Sequence, residues 1–84
     1  ELTGSPVVKL NHAVAIAQAG DPERALAIVD ALDLEGYPYL HSTRGELLAR
    51  LGRVDEARAA FGAALERVST EPERRFLQRR INQL

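Results

Sequence analysis

Sliding the chain along itself by 32 residues lays one half over the other. Gly20 falls on Gly52, Ala25 on Ala57 and Ala13 on Gly45; Ile16 falls on Leu48, Val29 on Phe61 and Val8 on Leu40. Size and polarity agree at each pair. A self-similarity of this length marks one supersecondary unit used twice, each copy burying its apolar face against the other. The more faithful copy is Gly45–Leu65, GELLARLGRVDEARAAFGAAL. Small residues at Gly45, Ala57 and Ala64 alternate there with bulk at Leu48, Phe61 and Leu65. Bulk on one helix facing a small residue on the other is how two helices pack closely, so the unit is a helical hairpin turning at Gly52.

Start and stop signals divide the chain into five helices. Residues 1–5 form a linker stub, with Ser5 as cap and Pro6 at a first helical position. The first helix is expected over Pro6–Ala19 and is closed by Gly20. Asp21-Pro22-Glu23 starts a second helix running to Leu32. Gly36 and Pro38 break the chain, and a third helix runs from Pro38 to Gly52. A fourth covers Val54–Val68. Thr70 and Glu73 then have the spacing of a capping box for a fifth helix reaching Leu84. The domain plan is one all-α unit: repeat 1 over 6–36, repeat 2 over 37–69, and a closing helix over 70–84.

The first helix carries two apolar stripes, Val7, Leu10, Val14 and Ala17 on one and Val8, Ala13 and Ile16 on the other. A helix apolar on two sides needs two partners. Two units and a closing helix make a short array, so the chain is expected to be a fragment whose upstream helices are missing. The stripe Val7, Leu10, Val14 and Ala17 is then an expected docking or self-association surface, with the fragment forming a homodimer.

Composition narrows the function classes. The chain has no cysteine, which excludes disulfides and thiolate metal sites and points to a reducing cytoplasm. No apolar run approaches the roughly 20 residues of a membrane span. Net charge is −1, but Asp21–Gly36 carries five acids against one arginine, and Glu71–Leu84 carries four arginines against two glutamates. Arg74, Arg75, Arg79 and Arg80 therefore raise a nucleic-acid reading. The absence of interleaved aromatics favours instead a solvated helix, or pairing with Glu71, Glu73 and the acidic second helix. His12 and His41 have no carboxylate or cysteine at ligand spacing, and Ser5, Ser42 and Ser69 sit in no nucleophile elbow. No catalytic residue, metal site or cofactor is expected, and the chain does not read as an enzyme.

The repeat resembles the tetratricopeptide family. Gly45 and Ala57 stand at its small contact positions, Gly52 at the turn, Phe61 at the aromatic position and Ala64 at the last alanine. The first unit keeps Ala13, Gly20 and Ala25. The pattern's early aromatic and leucine are replaced by Lys9 and His12, then by His41 and Arg44, and its late proline by Ser69. The resemblance implies a concave groove lined by the first helix of each unit: Leu10, Asn11, Val14 and Gln18, then Ser42, Thr43, Glu46 and Arg50. Asn11 and Thr43 are equivalent positions, where a side-chain amide can hold a partner's backbone or brace a neighbouring helix.

The wording of the chain carries a narrower resemblance. SPVVKLNHAVAIA (Ser5–Ala17), YLHSTRGELLARLGR (Tyr39–Arg53), DEARAAFGAAL (Asp55–Leu65) and EPERRFLQRRINQL (Glu71–Leu84) occur in that order. Together they resemble the C-terminal extension of a group of bacterial extracytoplasmic-function (ECF) RNA polymerase sigma factors. That likeness implies a regulatory domain without catalysis, acting in the cytoplasm through protein contacts. Its partners would be the upstream sigma-factor domains, RNA polymerase or a separate regulator, with DNA touched only by the upstream domains. A generic tetratricopeptide adaptor and a DNA-contacting arginine helix remain the alternatives.

Overall fold

The computed structural model describes residues 6–84, so the expected linker stub and its Ser5 cap lie outside the described residues. The chain is all-helical, with five helices and no strand among the described residues: α1 (Pro6–Gln18), α2 (Pro22–Asp30), α3 (Pro38–Arg50), α4 (Val54–Leu65) and α5 (Glu71–Gln83). α1 pairs with α2 and α3 with α4 as hairpins, α3 also packs on α2, and α5 rests on α4.

Both hairpins turn in the same way. Gly20 has φ +106° and Gly52 φ +76°, left-handed backbone that costs a side chain about 1–2 kcal/mol. In each case the following amide reaches back to an orphan carbonyl, Asp21 N–H to Ile16 at 3.2 Å and Arg53 N–H to Leu48 at 2.9 Å. These bonds sit 32 residues apart, so the repeat in the letters is a repeat in the hydrogen bonding. α2 and α4 stop two and three residues short of the expected Leu32 and Val68. Their last turns tighten into i→i−3 bonds, Leu32 N–H to Val29 and Arg67 N–H to Ala64.

One core runs through both units, and its largest fully buried side chains are Phe61, Leu10, Leu48 and Val29. Phe61 lies against Gly45 so closely that a β-carbon there would stand 2.9 Å from three ring atoms. The loop between α2 and α3 is tied down from both sides. The Glu35 carbonyl accepts from buried His41 Nε2 at 2.6 Å and from Arg67 Nε at 2.8 Å. Asp30 on α2 accepts from Arg44 on α3 at 2.6 Å.

The expected stripe on α1 is divided by the fold. Leu10 and Ala17 are core residues, 0% and 5% exposed, Val14 is half-buried, and Val7 is 40% exposed. This corrects the expectation of one continuous bare stripe: two of its four positions, Leu10 and Ala17, are taken into the core, where α1 packs chiefly on α2. Bare apolar surface lies instead at the start of α1, where Val8 is 51% exposed while its repeat counterpart Leu40 is 3% exposed. The difference follows from the neighbours. α3 lies between α2 and α4, whereas α1 has α2 beside it and touches α3 only lightly.

Candidate functional site: a groove across the odd-numbered helices

The prolines that open α1, α3 and α5 set a common register. Counted from Pro6, Pro38 and Pro72, Leu10, Ser42 and Phe76 share one position, and Val14, Glu46 and Arg80 the position one turn further on. Stacked units place such positions side by side. A cavity of about 310 Å³ lies along this line, walled by Val14 and Gln18 of α1, Ser42, Thr43, Glu46 and Arg50 of α3, and Phe76 of α5. Tyr39, Ala17 and Leu47 complete its sides.

Six of the eight expected groove residues thus meet at one place. Leu10 does not: it is wholly buried in the core, where its length fills the space between helices. Its counterpart Ser42 is too short to do so and stays half-exposed. Asn11 is exposed and does not line the cavity, whereas its counterpart Thr43 is 7% exposed and does. Tyr39 of α3 and Phe76 of α5 also line the cavity and lie outside the sequence-derived set, as does Arg80, which holds Glu46 on its wall. The signal that would have found Phe76 and Arg80 is Pro72, which puts α5 in register as a third groove helix.

Ion pairing sets the groove's electrostatics. Glu46 accepts two bonds from Arg80, Nε at 2.8 Å and Nη2 at 2.6 Å, in the bidentate geometry that fixes both partners. The bonds to Glu46 raise the Arg80 pKa above its ordinary value against the opposing effect of partial burial, so Arg80 is always charged. Its guanidinium also stands 5.4 Å from the centroid of the Phe61 ring, the face-on distance of a cation–π contact. Arg50 Nη1 donates to the Ala17 carbonyl at 2.9 Å, closing the open end of α1. Of the four arginines on α5, Arg74 pairs with Glu71 and Arg80 with Glu46. A uniformly basic helix face is therefore not formed. Among the described residues no cluster of three or more His, Cys, Asp or Glu could hold a metal ion, and no helix is long and apolar enough to cross a membrane.

Helical hairpins stacked in register, with the first helix of each unit lining one groove, define a helical-repeat interaction module. The chain belongs to the tetratricopeptide repeat-like domain family, whose model matches residues 3–84. It is similar to an uncharacterised protein of Rhizobium meliloti (strain 1021), 44% identical over 85 residues that take in 99% of this chain and 20% of that protein. The chain thus spans about a fifth of the length of that relative. No solved structure matches it.

Proposed function

We propose that this chain is a non-catalytic protein-interaction domain whose groove across α1, α3 and α5 holds an extended segment of a partner protein. The observation that carries the reading is the meeting of Val14, Gln18, Ser42, Thr43, Glu46 and Arg50 on one open cavity, with polar groups spaced along a half-apolar wall. Membership of the tetratricopeptide repeat-like family supports it.

The finer reading is that the domain serves as the regulatory C-terminal part of an ECF sigma factor in a bacterial cytoplasm. Four ordered sequence segments support this, and a relative five times as long leaves room for promoter-reading regions elsewhere in such a protein. Docking of the groove on the upstream regions, on RNA polymerase or on a regulator would bias how often those regions are exposed.

The coarse and fine readings have separate tests. A photo-crosslinking residue at Ser42 of the full-length protein is expected to capture a discrete protein in its own cells, and one at Arg58 on the outer side of α4 is not. Equal yields from both positions would remove the groove reading. Deleting the domain is expected to change promoter-dependent transcription; unchanged output under every condition would leave an adaptor unconnected with transcription.

A further inference from the structure

A second cavity of about 350 Å³ opens beside the groove, between the starts of α3 and α5 and the end of α4. It shares Tyr39, Ser42 and Phe76 with the first, so the two form one continuous trough. Its remaining walls are mostly apolar, chiefly Pro38, Ala64, Val68, Pro72 and Leu77. The repeat explains why it is open. In the first unit Leu10 is wholly buried and fills the space between helices. Its counterpart Ser42 is too short to do so, and its hydroxyl donates to the Tyr39 carbonyl at 3.2 Å. The hole left there suits an aliphatic side chain and returns little to a polar one.

The same chain carries apolar side chains with nothing over them. Six large hydrophobic residues are exposed, and five of them, Val7, Val8, Tyr37, Tyr39 and Phe76, stand at or beside the starts of α1, α3 and α5. Successive hairpins make the odd-numbered helices run the same way, so these starts lie in a row along one edge of the array. Tyr39 and Phe76 flank the mouth of the hole, and Tyr37 meets Tyr39 edge-on with ring centroids 6.1 Å apart. Val7 and Val8 stand at the other end of the row. Together the five leave on the order of 400–500 Å² open, and two copies paired over them would cover about 900 Å², the area of a weak specific contact. The charges beside the row are complementary. Glu73 on the wall of the hole accepts from the Thr70 hydroxyl at 2.8 Å but has no cation partner among the described residues. Lys9, the residue after Val8, is exposed and has no carboxylate partner there.

We infer that a second copy of this chain covers this edge. A twofold axis across the row at α3 lays α1 of each copy against α5 of the other, so every contact is made twice. Val7 and Val8 of each copy enter the hole of the other, and Lys9 of each comes beside Glu73 of the other. Self-association thus falls on the helix starts and not on the α1 stripe expected from the sequence.

Sedimentation equilibrium of the 84-residue chain is expected to pass from monomer to dimer between about 1 μM and 1 mM, the range for a contact of this area. Val8→Glu and Phe76→Glu each put a charge into the contact at a position 51% and 46% exposed. Each should raise the dimer dissociation constant at least about tenfold, with circular dichroism checking that the variant remains helical. Lys9→Glu and Glu73→Lys should each weaken the dimer alone, because like charges then face each other in both contacts. Mixed one to one, the two variants restore opposite charges in both contacts and should pair at least about threefold more tightly than either does alone. A monomer throughout that range, a dimer that Val8→Glu and Phe76→Glu leave intact, or a mixture no tighter than its parts overturns the inference. Photo-crosslinks at Ser42 keep this inference apart from the groove reading. Capture of the chain's own mass reports the second copy, whereas capture of another protein by a chain that stays monomeric leaves the groove reading standing and removes this one.

Discussion

Gly45→Ala isolates the contact on which the second hairpin is built. In an open helix this change stabilises by about 1 kcal/mol, because alanine is the better helix former. Here the new β-carbon would stand 2.9 Å from Cδ1, Cε1 and Cζ of Phe61, where carbon atoms settle at about 3.5–4.0 Å. Phe61 is 0% exposed and its ring lies under the Arg80 guanidinium, so it has little room to retreat. Forcing one extra carbon into a filled core costs about 1–3 kcal/mol. Gly62→Ala supplies the control, because Gly62 is also helical and a β-carbon there meets nothing within 4 Å. The propensity gain cancels between the two variants, leaving a difference of about 1–3 kcal/mol that reports overpacking alone. Urea unfolding followed by circular dichroism should show a higher midpoint for Gly62→Ala and a lower one for Gly45→Ala, at an unchanged slope. The first hairpin solves the same packing problem with Ala13 and Val29 in register, both buried, so the volumes are shared differently. Gly45→Ala with Phe61→Val should therefore cost less than the sum of the single variants by about 1 kcal/mol or more. Additive losses, or a Gly45→Ala variant as stable as Gly62→Ala, would refute the reasoning.

Two further outcomes test how α5 is held. Thr70 accepts from the Glu73 amide at 3.4 Å and donates to its carboxylate at 2.8 Å, so Thr70→Ala should cost about 1 kcal/mol and appear first as faster amide exchange in α5. Glu46→Gln breaks a pair whose side chains are 43% and 24% exposed, so screening limits the loss in urea unfolding to about 1 kcal/mol or less, shrinking further at high salt.

Much of the fold was legible because it is written in local signals that appear twice. The 32-residue shift, the prolines at helix starts and the glycines at both turns each act within a few residues, and their effects need no knowledge of the rest of the chain. The Thr70–Glu73 spacing was likewise readable, although the structure answers it differently from the reciprocal box: Glu73 accepts its own cap's hydroxyl. What was not legible depends on which neighbour a face meets. The two stripes of α1 were visible in the letters, yet nothing local says that Leu10 and Ala17 go into the core while Val8 stays bare. That is decided by the packing of α2 and α3 against α1. Leu10 shows the same limit within the candidate site: the register puts it beside Ser42, and its length sends it inward. The place of Phe76 and Arg80 in the groove is not written at the 32-residue shift, where α5 has no second copy within the chain; Pro72 follows Pro38 by two residues more than that shift.

That third wall is the groove's weakest part, and this shapes how it works. Among the residues of α5, Leu77 alone is fully buried, with Ile81 and Arg80 partly so. The Glu46–Arg80 pair and the Arg80–Phe61 contact, both at the register of Val14, supply the remaining hold on its neighbours. Phe76 stands in the trough only while this attachment lasts. A segment that touches Phe76 binds the docked form alone, so binding and α5 docking must stabilise each other, by an amount that grows with ligand concentration. Changes that loosen α5 without touching the trough should accordingly weaken binding in proportion to the docked population they remove.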